Sequence, residues 1–298
     1  MHIIKTHIVP DGTDRMRLSD YAFLVFGASS SRKGVKKAIK RGEIRVNGQI
    51  APTGTWVLPG HKIDWLDLEY KIPKVYEMKL EVVFEDDYLA IINKPAGIVV
   101  SGNQFRTIEN ALSANLKASA QEDKLKWPKP VHRLDSPTSG LLIVAKTASS
   151  RIRLGQQFEE KLIEKTYQAI ACGTINNEGE IKEPIDNKEA HTLFEKVVKV
   201  PSLKNEWLCL VNLFPKTGRT HQLRKHLASH GNPIVVDQLY GVQGSILKGK
   251  GLFLSAVGLK FTHPITGEPL DISIPAPAKF QSLLEREERR WNKFRGQE

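Results

Sequence analysis

From Leu80 onward the chain breaks into short β-rich runs that helical stretches interrupt without regular alternation, and this rhythm constrains the fold more than any other feature. The runs are 80–84, 89–93, 141–145, 167–172, 193–200, 207–214, 252–261 and 270–274, while 107–119, 147–162, 221–230 and 280–294 read as helices. A doubly wound parallel sheet needs strands and helices in turn. The pattern therefore predicts an α+β fold with a mixed, mainly antiparallel sheet. Phe280, Leu283, Leu284, Trp291 and Phe294 fall near one helical face, which predicts a packed C-terminal helix.

The first quarter of the chain differs in charge. Residues 1–75 hold 13 Lys and Arg against 7 Asp and Glu, so they carry +6 of a net +11. Seven of these cations lie between Arg32 and Arg45, namely Arg32, Lys33, Lys36, Lys37, Lys40, Arg41 and Arg45, with Glu43 the one acid among them. Ser29, Ser30 and Ser31 offer N-caps, and Val35, Ala38 and Ile39 keep helical spacing, so one side packs and the other is cationic. Ile44 and Val46 then alternate, and Asn47-Gly48 suits a two-residue hairpin turn. The expected order is helix, loop, basic helix, hairpin, with a boundary in the proline-containing stretch that follows. A basic helix beside a hairpin can track phosphates, with affinity dominated by counterion release. A plain surface-charged domain is the alternative. The division expected is 1–75 and 76–298, the second ending in the C-terminal helix.

Several classes of function drop out. No apolar run approaches the roughly 18 residues of a membrane span, and the first residues lack a secretory or transit pattern, so a cytoplasmic protein without membrane attachment is expected. Cys172 and Cys209, without a CxxC, argue against disulfide scaffolds and zinc fingers. The stretch 244–251 nearly spells a phosphate loop, but Gly251 stands where Ser or Thr is needed. His226 and His230 sit four apart without a third ligand, and cap or packing roles are expected for them. No GxGxxG signals a nucleotide cofactor.

Two polar concentrations carry chemistry. Residues 131–140, Val-His-Arg-Leu-Asp-Ser-Pro-Thr-Ser-Gly, form a loop mounted on the aliphatic run 141–145. By spacing alone, Arg133 and Asp135 read equally as a structural ion pair. Residues 216–226 add four Lys or Arg and two His with no acid, at the start of a helix. If that helix already includes Arg219, Arg219 and Arg224 point roughly 140° apart and serve different neighbours.

These blocks resemble a pseudouridine synthase of the RluA type. The resemblance rests on Asn93-Lys94-Pro95-Ala96-Gly97, on 132–146 (HRLDSPTSGLLIVAK), on Lys165-Thr166-Tyr167, on 217–241 (TGRTHQLRKHLASHGNPIVVDQLYG) and on 253–268. The segment from about Arg17 to Trp65 in turn resembles the small α-L RNA-binding module of a ribosomal protein and some tRNA synthetases. Ser136-Pro137 and Val236 depart from the synthase pattern; a glycine is usual at the position of Val236. The resemblance implies isomerisation of uridine in structured RNA, ribosomal or transfer, with a tilt toward large-subunit ribosomal RNA.

That reaction breaks the bond from C1′ to uracil N1 and joins C1′ to C5. Its demand is an anion at C1′, for which Asp135 is the expected catalytic residue. Attack on C1′ and abstraction of a sugar proton both stay open. An adjacent guanidinium keeps such a carboxylate ionised in a dry pocket, and the motif assigns this to Arg224. Tyr167 is implied as the tyrosine that stacks on the base and assists proton transfer at C5. The uridine must leave its helix, and Arg133 is the expected plug for the gap. His132, Thr138, Arg219 and His221 complete the expected RNA contacts, together with Arg32, Lys33, Lys36, Lys37, Lys40 and Arg41 of the N-terminal module. No metal or cofactor is implied, and a monomer is expected. A non-catalytic RNA-binding factor on the same fold is the competing reading, and an RNA methyltransferase a third.

Overall fold

The computed structural model describes residues 2–27, 31–68, 75–241 and 251–294. Ser29, Ser30, Pro73 and nearly all of the loop at 244–251 lie outside the described residues. The chain divides into two compact units, Met1–Pro73 and Lys74–Glu298.

In the first unit β1 (His2–Ile8) precedes a small ribbon of β2 (Met16–Arg17) and β5 (Trp56–Val57). Between these come α1 (Leu18–Phe26), α2 (Arg32–Lys40), β3 (Ile44–Val46) and β4 (Gln49–Ile50), and β6 (Lys62–Asp67) completes a sheet of order β1-β6-β3-β4. Ser31 caps α2 by accepting from the Gly34 N–H at 3.2 Å. Val35, Ala38 and Ile39 are buried against Leu18, Phe26, Ile44 and Ile63, while Lys33, Lys36, Lys37 and Lys40 stay exposed. Asn47 and Gly48 turn the β3–β4 hairpin with φ of 49° and 79°, the left-handed pair that such a turn requires. β1 was not expected. Its isoleucines are interrupted by Lys5 and His7, so its pairing with β6 leaves no clean alternation to read.

The second unit contains β7 (Glu81–Glu85), β8 (Leu89–Lys94), α3 (Ile108–Asn115), β9 (Lys124–Pro130), β10 (Ser139–Thr147), α4 (Ala148–Glu159), β11 (Glu164–Cys172) and β12 (Glu178–Ile181). There follow β13 (Thr192–Ser202), β14 (Glu206–Pro215), α5 (Gln222–Ser229), β15 (Leu254–Thr262), β16 (Pro269–Ser273) and α6 (Lys279–Phe294). Its large sheet runs β12-β13-β14-β11-β15-β10-β8-β7, with β16 on β15 and β9 on β10. Every pairing is antiparallel except β10 with β15. The fold is α+β with a mixed, mainly antiparallel sheet.

The aliphatic run of β10 is explained by burial on both faces. Leu142 and Val144, with Ala90 and Ile92 of β8, pack toward α3, whereas Leu141, Ile143 and Ala145 pack toward α4. Gly140 lies in the parallel pair with Ala256 at φ 112°, and a Cβ there would overlap the Ala256 carbonyl. β9 and β12 went unread because Lys124–Pro130 is lysine- and proline-rich and Glu178–Ile181 is half acidic. Among the described residues no helix is long and apolar enough to cross a membrane. Cys172 and Cys209 are buried free thiols.

Candidate active site

The loop between β9 and β10 carries Asp135, and the structure shows what holds it. Lys94, at the end of β8, is fully buried, and its Nζ donates to the carbonyls of Pro95 (2.9 Å), Ser136 (3.1 Å) and Thr138 (2.8 Å). Gly97 N–H donates to the Ser136 carbonyl and Thr138 N–H to that of Asp135, at 2.7 and 3.0 Å. A buried ammonium thus grips the backbone on both sides of the aspartate. Burial pulls the Lys94 pKa down to about 8, against the opposing pull of the Asp135 charge. The sequence placed Lys94 in a motif without assigning it this work.

Asp135 lines a cavity of about 1000 Å³ together with Arg133, Thr138, Tyr167, His221 and Arg224. Its side chain is 20% exposed, with Arg224 Nη1 3.7 Å from Oδ2 and His221 Nε2 3.7 Å from Oδ1. Arg224 is itself anchored elsewhere. Its Nε and Nη2 donate to both oxygens of Asp237, at 2.7 and 2.6 Å, and the two side chains are 4% and 1% exposed. Asp237 Oδ1 also accepts from the N–H groups of Leu239 and Tyr240. Burial pushes the Asp237 pKa up, but the Arg224 hydrogen bonds and these N–H groups overcome it and hold the carboxyl below its ordinary range. Burial likewise disfavours the Arg224 cation, and its hydrogen bonds to Asp237 more than offset this. The expected cation is therefore present, but its two-point partner is Asp237 and its free edge turns to Asp135.

Asp237 and Tyr240, which the sequence reading left without a role, contact the residues around Asp135. A buried arginine requires a carboxylate, and Asp237 is the one acid in its block, so the signal existed. Val236 precedes it at φ 62°, a left-handed conformation costly for a β-branched side chain. This supplies the physical reason why a glycine suits that position. Tyr240 hydroxyl lies 3.0 Å from His221 Nδ1, and the Arg224 guanidinium lies over the Tyr240 ring at 5.1 Å.

Arg219 does not belong to the helix, which corrects the angular argument that paired it with Arg224. α5 begins at Gln222, and His221 just before it has φ 56°. The Gln222 side chain accepts from Thr217 Oγ1 (2.7 Å) and Arg219 N–H (2.9 Å), folding 217–222 into a turn that the helix cannot extend through. Arg219 Nε donates to the Glu189 carbonyl at 2.8 Å. His226 bonds Thr192 and the Glu183 carbonyl, and His230 ends the helix beside Phe194.

The remaining expected residues fall into distinct settings. His132 Nε2 accepts from Ile143 N–H at 3.0 Å, and burial, then the Lys165 charge, lowers its pKa to about 3, so the ring is neutral and tied to the strand rather than a cationic RNA contact. Tyr167 lines the cavity; burial first, and the Asp135 charge second, raise its pKa and keep it a neutral phenol. Lys165, two residues earlier, lines the same cavity with its pKa lowered by burial. Thr138 Oγ1 is buried without a hydrogen-bond partner. Arg133 is exposed. In the first unit Arg41 closes on Glu43 with two bonds at 2.5 and 2.8 Å, and Arg32 lies 3.8 Å from Asp20 and over Phe23, so these two expected RNA contacts carry their own partners. Lys33, Lys36, Lys37 and Lys40 are exposed, and no ion pair to an acid is formed by them among the described residues.

The family model described as RNA pseudouridylate synthase matches residues 88–229, which include Asp135, Tyr167 and Arg224. The chain is 32% identical over 283 residues to an uncharacterized RNA pseudouridine synthase, YhcT, of Bacillus subtilis, covering 88% of this chain and 91% of the relative. It is 34% identical over 290 residues to the ribosomal large subunit pseudouridine synthase C of Pasteurella multocida, covering 85% and 86%. Among solved structures, human RNA pseudouridylate synthase domain containing 1 shares the fold with a TM-score of 0.56 at 23% identity, over 67% of this chain and 84% of that one.

Proposed function

The chain belongs to the RNA pseudouridylate synthase family and is an RNA pseudouridine synthase, an isomerase; from that premise we propose that Asp135 is its catalytic residue. The observation that carries the assignment is a partly shielded carboxylate facing a buried guanidinium inside a cavity of about 1000 Å³. The substrate is a uridine of structured RNA, large-subunit ribosomal RNA by analogy with the relative of that name. The enzyme acts as a cytoplasmic monomer.

The chain's residues divide the work as follows. Arg224, fixed by Asp237, faces the Asp135 carboxyl where positive charge develops at C1′ as the bond to N1 breaks. His221 sits on the other carboxylate oxygen, and Tyr240 fixes the orientation of its ring. Tyr167, a neutral phenol beside Asp135, covers the base and assists proton transfer at C5. Thr138 Oγ1, a buried group without a partner, is reserved for a polar atom of the flipped nucleotide. Arg133, exposed at the cavity, fills the vacated place in the RNA. The cations of α2, together forming an RNA-binding surface on the first unit, seat the substrate by its phosphates.

The test is to map pseudouridine in total RNA from cells carrying the chain, cells lacking it, and cells carrying Asp135→Ala. One or more sites present only with the unaltered chain are expected. Identical maps in all three would leave the competing reading, an RNA-binding factor without catalysis.

A further inference from the structure

We infer that Arg15, Arg17 and Trp56 form a second phosphate-binding site on the first unit, separate from the basic helix and fitted to the backbone of RNA. This rests on the proposal that the first unit holds RNA. β2 and β5 pair with Arg17 opposite Trp56. Both guanidinium carbons lie over the indole, at 4.4 Å for Arg15 and 4.5 Å for Arg17. The two cations are therefore at most about 9 Å apart, close to one Debye length at physiological salt. All three side chains are exposed.

The indole explains how like charges are gathered without being neutralised. A guanidinium over an aromatic face is attracted by the ring's quadrupole while its N–H edge stays available for oxygen acceptors. Arg17 spends one donor, Nη1, on the Gly54 carbonyl at 2.7 Å, and no carboxylate among the described residues pairs with either arginine. Arg41 and Arg32 differ, since each carries an acid of its own. Two cations held together without a counter-ion repel, and an anion bound at their exposed N–H edges relieves that repulsion. A backbone phosphate supplies that anion with oxygens suited to guanidinium donors.

The placement favours RNA over an acidic peptide. α1 packs against α2 on one side and against the β2–β5 ribbon as well, so the lysine-bearing helix and the arginine pair flank one element. A strand seated on α2 meets a second anchor within the same unit. The arginine pair also lies outside the Arg32–Arg45 run, so it enlarges the cationic footprint beyond what that run provides.

The experiment uses the full chain as wild type, as R15Q/R17Q, and as a charge-matched control, R289Q/K293Q, on exposed positions of α6. Each is titrated with a fluorescein-labelled stem-loop RNA between about 50 and 300 mM KCl, and the slope of log affinity against log salt is read. The arginine variant is expected to lose about 0.7–0.9 of slope, the share of one phosphate contact, with the control unchanged. Matching thermal midpoints establish that all three are folded. A wild-type slope in R15Q/R17Q overturns the site, as does an equal loss in the control, where net charge alone would suffice. Poly-glutamate binding lost in parallel with RNA binding also overturns the assignment to RNA. If the slope falls but the wild type makes no pseudouridine, the site stands and the proposed catalysis fails; product with an unchanged slope sinks the site alone.

Discussion

Lys36 and Lys94 are the same side chain in opposite surroundings. Lys36 stands exposed on α2 beside other cations, with no carboxylate partner among the described residues, whereas Lys94 is fully buried at the end of β8 and bonded to three carbonyls. Arginine repeats the contrast. Arg15 lies exposed over Trp56, and Arg224 lies buried with Nε and Nη2 held by Asp237. The first unit accumulates positive charge that solvent and salt can screen. The second buries Lys94 and Arg224 singly and satisfies each with fixed partners. A cationic surface can therefore be changed gradually, residue by residue, while the buried charges act as members of small sets that fail together.

The sharpest break in that contrast is Asp135→Ala. It is expected to lower the single-turnover rate of pseudouridine formation by about 10⁴-fold or more while RNA affinity is kept, as judged by quenched-flow product analysis alongside titration. An equal fall in binding would mean that Asp135 belongs with the surface charges after all. Next in size is Asp237→Ala, which strands the Arg224 cation in the interior. Denaturant unfolding should show a loss of about 3–5 kcal/mol, with the rate falling as Arg224 loses its orientation. A loss below about 1 kcal/mol would place the pair among weak surface bridges.

Lys94 offers a pH test. Its folded pKa of about 8 lies below the ordinary lysine value of 10.5, so between these values the unfolded chain binds more protons. The cost of keeping the cation buried is fully present below about pH 8 and is relieved as pH rises toward 10.5. Relative to Lys94→Met, the wild type should gain unfolding free energy across that window, by up to about 3 kcal/mol. Parallel pH profiles for the two proteins contradict this account. The smallest effect belongs to the surface: K36A/K37A should reduce the salt slope of RNA binding by about 1.4–1.8 and leave the rate at saturating RNA unchanged. A change in that rate would show that the lysines reach into the chemistry.

Much of the fold was legible because it follows local periodicities. Val35, Ala38 and Ile39 announced the buried face of α2, Asn47-Gly48 its hairpin, and the aliphatic run at 141–145 the central strand. β9 was not legible, since Lys124–Pro130 becomes a strand only by pairing with β10. The start of α5 was read to within one residue, but the turn before it was not legible, since Gln222, from within the helix, folds it through Thr217 and Arg219. Within the site, Asp135, Tyr167 and Arg224 were marked by their motifs, and the structure brings all three to one cavity. Asp237, Tyr240 and Lys94 acquire meaning only through what they touch.

The sequence by itself determined most of the elements, the excess of charge at one end, and the family, because periodicity, composition and motif are properties of neighbours along the chain. Only the tertiary structure decided which charges are spent on one another. Arg224 reaches Asp237 across 13 positions, Lys94 reaches Thr138 across 44, and Arg17 stacks on an indole 39 residues away. Whether a cation is a surface contact, a backbone clamp or the partner of a reacting carboxylate depends on burial and on the few ångströms around it. Those are set by the packing of the sheet and helices, and residue type alone does not contain them.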